Sequence, residues 1–271
     1  MGVKKRNIDI SSILLLAALA FYILAPLAVM IMHSIATEWY VLKRWWAPSK
    51  IGLDWYYFLF RDPDLFRSLW MTYVIAITVV IFTIGIFILP AYVIGTGKVK
   101  KGADFIETLG NLPQAIPIVV LGIGLLPIYG RLGLLYTFPG IVIAHSIPAA
   151  PYVFRTLVSG FIAIPPEIEE AARVLGAGKL AIVFNIYIPL LKPSILAAAV
   201  LAFSASINEY VLTAFLGVPA ITTLAVRVYQ TAGGYYWSPH LAGAFSIFMI
   251  IPSVTIVMAI EKITRTKVTP L

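Results

Sequence analysis

The chain has 271 residues, 61% of them hydrophobic and 12% charged, with a formal net charge of +8 and no cysteine. A soluble domain has about 25% charged and 45–50% apolar residues, so the apolar excess excludes a single soluble core and makes lipid the natural solvent for much of the surface. The lack of cysteine excludes disulfides, thiolate metal sites and a cysteine nucleophile, and the positive charge, clustered between apolar runs, reads as basic flanks of membrane spans and not as a nucleic-acid surface.

A helix needs about 20 mainly apolar residues to cross a bilayer. The first such run is Ser12 to His33, with no Asp, Glu, Lys or Arg between Asp9 and Glu38. Lys4, Lys5 and Arg6 ahead of it imitate the start of a signal peptide. The run is too long for one, and no clear small-residue cleavage site follows, so a retained span is expected. Residues 34–67 are polar and aromatic, with Trp39, Trp45, Trp46, Trp55, Tyr56 and Tyr57. Such side chains suit a membrane–water boundary, and the segment reads as a small external cap without a ligand role.

A second span is expected from about Ser68 to Gly95, followed by a basic loop with Lys98, Lys100 and Lys101. A third covers about Phe105 to Tyr129 and a fourth about Phe138 to Ser159. Residues 160–191 interrupt the apolar pattern with several charges. A fifth span covers about Lys192 to Gly217, residues 218–241 form a loop rich in Gly, Tyr and Trp, and a sixth covers about Leu241 to Glu261. Pro26, Pro90, Pro113, Pro117, Pro127, Pro148, Pro151 and Pro252 fall inside these spans and kink them, which a bundle tolerates because neighbouring helices satisfy the freed carbonyls. The reading is an all-α polytopic protein. Residues 1–67 hold the first helix and external segment, 68–262 the transmembrane core, and 263–271 a tail.

Six spans place both termini on one side. Cytoplasmic termini put Lys4, Lys5, Arg6, Lys98, Lys100, Lys101, Arg155, Arg173, Lys179, Lys192, Lys262, Arg265 and Lys267 in or near the cytoplasm, and leave Lys43, Arg44, Lys50, Arg61, Arg67, Arg131 and Arg227 outside. That asymmetry follows the positive-inside rule and makes residues 160–191 a cytoplasmic loop.

This loop has its own pattern. Pro165 and Pro166 suit a helix start, and Glu167, Glu169 and Glu170 lie where the helix dipole favours negative charge. Ile168, Ala171, Ala172 and Leu175 recur at i, i+3, i+4 and i+7, which makes one face apolar. Gly176 and Gly178 can end the helix. Two alanines anchor poorly in lipid and suit a groove on a partner protein better.

The loop resembles the signature of bacterial and archaeal ABC import permeases: Glu-Ala-Ala, three residues, Gly, nine residues, Ile, one residue, Leu-Pro. Here Glu170-Ala171-Ala172, Gly176, Ile186 and Ile188-Pro189 fit that spacing, with Ile188 in place of Leu. The resemblance runs from about Ser68 to the end of the sixth span and implies the type I importer permease fold with a cytoplasmic coupling helix. It implies that Glu167, Glu170, Ala171, Ala172, Gly176, Ile186 and Pro189 form the joint to a separate ABC ATPase subunit dimer. It further implies an extracellular solute-binding protein above, a second permease subunit, identical or homologous, beside this chain, and no cofactor.

No catalytic constellation is visible. Gly176-Ala177-Gly178-Lys179 lacks the spacing of a phosphate loop, so ATP is expected to be hydrolysed by a partner chain. His33, His145 and His240 are far apart in sequence and show no metal-ligand spacing. Glu209 is exceptional, an acid inside the expected fifth span, where ionisable residues are costly and functional by default. Ser206, Glu209, Tyr210 and Thr213 would share one helical face and, with Asn208, line a solute path or form a hydrogen-bond node.

For the solute, Gly110 to Pro117 leading into Val120-Leu121-Gly122-Ile123-Gly124, and the run Ala171 to Ala177, look like permeases for polyamines, thiamine, ferric iron and aminoethylphosphonate. Asp54-Trp55-Tyr56 and Asn208-Glu209-Tyr210 look like sugar permeases, the second reading. An ion-coupled secondary transporter working alone is a third, though it leaves the loop without a partner.

Overall fold

The computed structural model describes residues 10–40, 46–98, 102–234 and 237–265. Lys4, Lys5, Arg6, Lys43, Arg44, Trp45, Lys100, Lys101, Lys267 and most of the expected tail lie outside the described residues. The described chain divides into two compact units, one within Met1–Asp62 and Val228–Phe248, the other within Pro63–Arg227 and Met249–Leu271.

The first unit begins with α1 (Ile10–Ile35). Its 26 residues rise about 39 Å, enough to span, and side chains such as Leu15 and Phe21 remain exposed. A short antiparallel pair follows, β1 (Ala36–Glu38) with β2 (Lys50–Ile51), in the register Ala36 opposite Ile51. Then comes α2 (Asp54–Arg61). The Trp55 indole donates to the Ala36 carbonyl at 2.8 Å and the Tyr56 hydroxyl to Ser34 Oγ at 2.9 Å. Within this unit the start of α12 (Pro239–Arg265) approaches α1 so closely that a Cβ on Gly243 would lie 2.8 Å from the Met30 carbonyl oxygen.

The second unit holds the other spans. Its long helices are α3 (Pro63–Gly95), α6 (Phe138–Ile162) and α9 (Ile188–Ile207). Helix α6 is the centre, burying Ile141, Phe154 and Leu157 among its neighbours. It meets α9 where a Cβ on Gly160 would sit 2.4 Å from Ser194 Oγ. Small residues at a crossing let backbones approach, which in lipid is the main source of helix–helix attraction.

Two expected spans are broken. The third is α4 (Ala103–Asn111) and α5 (Ile118–Leu132), joined by a 3₁₀ turn at Leu112–Ala115 and bent by 104°. Prolines cause this. Pro117 forces Ile116 into extended backbone, at φ −101° and ψ 121°, and starts α5 anew. The fifth ends at Ile207, and the short α10 (Val211–Leu216) begins after Tyr210. Among the described residues, five helices are long and apolar enough to span, with the bent pair as a sixth candidate. Helix α11 (Leu224–Ala232) precedes α12.

Candidate functional site

The loop after α6 forms α7 (Pro166–Val174), begun by the expected prolines. Its end explains the glycine of the signature. Gly176 has φ +83°. Its N–H donates to the Arg173 carbonyl at 3.0 Å, and the Ala177 N–H reaches back to the Ala172 carbonyl at 2.9 Å. These two bonds form a Schellman cap, whose left-handed residue is a glycine because a side chain there would clash with its own backbone. The two positions flanking such a cap, Ala172 and Ala177, are both packed against the core.

The helix does not present a single apolar stripe inward. Ile168, Val174 and Leu175 are exposed, the last two at 87%, and Leu180 just beyond is also exposed. The inward residue is an acid. Glu169 is buried, and its carboxylate accepts from Lys98 Nζ at 2.8 and 2.9 Å, from Arg173 Nη2 at 2.6 Å and from the Tyr187 hydroxyl. Burial pushes this carboxyl up, but the hydrogen bonds from Lys98, Tyr187 and Arg173 outweigh it and hold the carboxyl down at about 2. Lys98 also donates to Tyr92, and its ammonium stands 4.5 Å from the Tyr92 ring centroid. Tyr92, Phe161 and Tyr187 pack edge-to-face below, with centroids 5.3–5.7 Å apart. One carboxylate thus ties α7 to α3 through Lys98 and to the foot of α9 through Tyr187.

That foot has unusual geometry. From α8 (Lys179–Ile182) the chain passes through a π turn, Val183–Tyr187, directly into α9. Pro189 has no N–H to offer the Asn185 carbonyl, so an α-register is already broken there. Ile186 packs inward against the core, whereas Pro189 is exposed in the first turn of α9. Glu167 and Glu170 stay exposed, Glu170 lining a 600 Å³ cleft with Lys98, Arg173 and Tyr187.

At the other end of α9, Ser206, Glu209, Tyr210 and Thr213 do not share one helical face, because the helix stops between them. Asn208 turns its amide back to the Ser204 carbonyl at 2.8 Å, and Glu209 accepts the Leu212 N–H at 2.9 Å, capping α10. Ser206 and Thr213 are buried, joined through the fully buried His145 of α6. Its Nδ1 lies 3.0 Å from Ser206 Oγ and its Nε2 2.8 Å from Thr213 Oγ1. Asn208 also lines a 180 Å³ cavity with Ser204 and Ser253.

Sequence reading undervalued Glu169, Lys98, Tyr187 and His145. The i, i+4 spacing of Glu169 and Arg173 was a usable signal, as was an ionisable residue inside a span for His145. Nothing in sequence pointed to Tyr187. His33 and His240, 207 residues apart, meet with their Nδ1 atoms 3.4 Å apart, stacked by Trp39 and Trp55. No group of three or more potential metal-ligating side chains converges among the described residues.

A family model described as binding-protein-dependent transport system inner membrane component matches residues 88–269. The chain is 28% identical over 221 residues to the sulfoquinovosyl glycerol transport system permease protein SmoH of Agrobacterium fabrum, covering 80% of this chain and 77% of that one. It is 24% identical over 252 residues to the spermidine/putrescine transport system permease protein PotC of Escherichia coli K12, covering 93% of each. Among solved structures, a chain of a bacterial ABC transporter that imports the acidic polysaccharide alginate matches with a TM-score of 0.71 at 20% identity, over 99% of this chain and 100% of that one. The last likeness is one of fold.

Proposed function

Because the chain belongs to the binding-protein-dependent transport system inner membrane component family, and so is the multi-pass permease subunit of an ABC importer, we propose that α7 is the handle by which a separate ATPase subunit moves it. The observation that carries this reading is the inverted polarity of α7. Its acid is buried and paired, while Ile168, Val174 and Leu175 are left to water. Exposed apolar side chains on a short helix outside the spans suit a groove on a partner. Glu167 and Glu170 would supply polar contacts at the rim, and Ala171 allows close approach. Ala172, Gly176, Ile186 and Pro189 shape the joint from behind. Both termini, α7 and the ATPase dimer then lie in the cytoplasm, with a solute-binding protein outside and a second permease subunit completing the path.

The experiment is to express the permease with the rest of its transporter and replace Leu175 by Asp. At 87% exposure this change leaves the permease folded. The expected result is loss of the co-purifying ATPase and of transport. A Leu175→Asp permease that still brings down its ATPase and transports normally overturns the assignment.

For the solute, a small polar molecule of the polyamine, thiamine, ferric iron or phosphonate type is favoured by the residues from Gly110 to Gly124 and by the relative that carries spermidine and putrescine. A sugar-like solute is the second reading, favoured by the relative that carries a sulfoquinovosyl glycerol and by the uncharged Ser204, Asn208 and Ser253 of the 180 Å³ cavity. Asn208, Tyr210 and the Glu209 cap would border the path, with Ser206 and Thr213 set by His145. Stimulation of ATP hydrolysis by the loaded binding protein, across a panel of polyamines and glycosides, separates the two.

A further inference from the structure

A cavity of about 570 Å³ lies between α3, α6, α7 and the α8–α9 segment, within the size range, about 300–1,000 Å³, of pockets that hold small molecules. Its walls are apolar, built from Ile88, Leu89, Ile182, Val183, Ile188 and Leu191. Leu89 is 69% exposed, and Val183 and Ile188 are also open, so the chamber has a mouth on the helix surface. The rim has the opposite chemistry. Lys98, Arg173 and Lys179 line it against a single carboxylate, Glu169, an excess of two positive charges.

The rim cations are not equally committed. Lys98 gives hydrogen bonds to both Glu169 oxygens and to Tyr92. Arg173 gives Nε and Nη2 to Glu169 and keeps Nη1, while Lys179 has no ion-pair partner among the described residues. Helix α3 ends at Gly95, and the span that includes α9 begins at Lys179, so the rim stands at the ends of spans, at headgroup depth. An apolar chamber open to lipid, with unused cationic donors at that depth, matches one abundant molecule of the surroundings.

We propose that this cavity binds one anionic phospholipid. Its phosphate sits on Lys179 and the free edge of Arg173, and one acyl chain lies over Leu89, Ile188 and Leu191. Basic pockets between spans take anionic headgroups in this way. A zwitterionic lipid would leave the excess charge unbalanced. The proposal requires only that the chain is embedded in a membrane and is independent of what α7 docks onto.

The test is native mass spectrometry of the full chain released from nanodiscs containing phosphatidylglycerol and phosphatidylcholine with the same acyl chains. Wild type should retain one phosphatidylglycerol preferentially. Lys179→Gln should weaken that retention about fivefold, as one surface cation fewer implies. Val183→Trp, which fills the chamber from an exposed position, should abolish it, with unchanged helix content by circular dichroism. Equal retention of both lipids, or retention unaffected by both substitutions, overturns the proposal. Complete displacement by millimolar inorganic phosphate would mean a free-anion site and also overturns it. The chain has no cysteine, so Leu89→Cys gives a clean reporter: a disulfide between two copies in the membrane would show that a second copy, and not lipid, covers the mouth.

Discussion

Helix α9 is fastened at both ends by polar clusters, and the two are built from different chemistry. At its foot the fastening is ionic, with Glu169 holding Lys98, Arg173 and Tyr187 where side chains are partly exposed to water. At its head the fastening is neutral, with His145 bridging Ser206 and Thr213 in a fully buried position. Burying a charge without water is expensive, whereas hydroxyls and an uncharged imidazole satisfy one another at little cost. The dry end is therefore fixed by hydrogen bonds alone. The wet end can use charge, because water reaches Lys98 and Arg173.

The largest test of this contrast is Glu169→Ala. It leaves the buried Tyr187 hydroxyl without its acceptor and two half-exposed cations side by side, and should cost about 2–3 kcal/mol of α7 docking, seen as faster amide exchange across residues 166–174 and loss of coupled transport. The contact also has a pH signature. The Glu169 carboxyl is held at about 2 against an ordinary 4.5. Its contribution is thus complete above 4.5 and is lost as pH falls toward 2. Protection of the α7 amides should be flat from pH 7 to about pH 5 and decline below about pH 4.

Next in size is His145→Ala, which strands two buried hydroxyls and should lower global stability by about 2 kcal/mol in a thermal melt without changing α7 exchange. If the two ends are independent, the double variant with Glu169→Ala is additive within about 0.5 kcal/mol. A larger departure would show that α9 transmits strain between them.

Gly176→Val should cost about 1–2 kcal/mol by forcing a branched side chain to φ +83°, again read in α7 exchange, with the spans unaffected. The smallest effect belongs to Glu209. Glu209→Ala loses the α10 cap, about 1 kcal/mol, while Glu209→Gln keeps an accepting oxygen. If Gln restores stability but solute-stimulated ATP hydrolysis stays low, the charge acts on the solute path. If Gln restores both, Glu209 is a cap alone.

The spans were legible because lipid imposes a simple rule on length and charge, and α1, α3, α6 and α12 lie close to where hydropathy places them. The α7 helix was legible from its prolines and glycine. The broken spans were harder. Asn111 and Gln114 in the third span, and Asn208 and Glu209 in the fifth, are too few among apolar neighbours for hydropathy to show a gap. The breaks come from Pro117 acting on Ile116 and from Asn208 and Glu209 turning onto the backbone, local events that an average over a window hides. The acid that anchors α7 was hidden for a different reason. An amphipathic pattern states which residues share a face but not which face looks inward. Here a three-way partnership, with Lys98 71 residues away and Tyr187 18 residues away, turns the acid inward.

The π turn at Val183–Tyr187 gives the foot of α9 slack. It carries one residue more than an α turn would, and closing it would swing the preceding chain about 100° and draw it about 1.5 Å along the axis. Tyr187, which donates to Glu169, stands at the edge of that slack. A small stroke would be absorbed as local twist, and only a longer one would shift the rod beyond it. In mechanical terms such a turn is a backlash between α8 and α9.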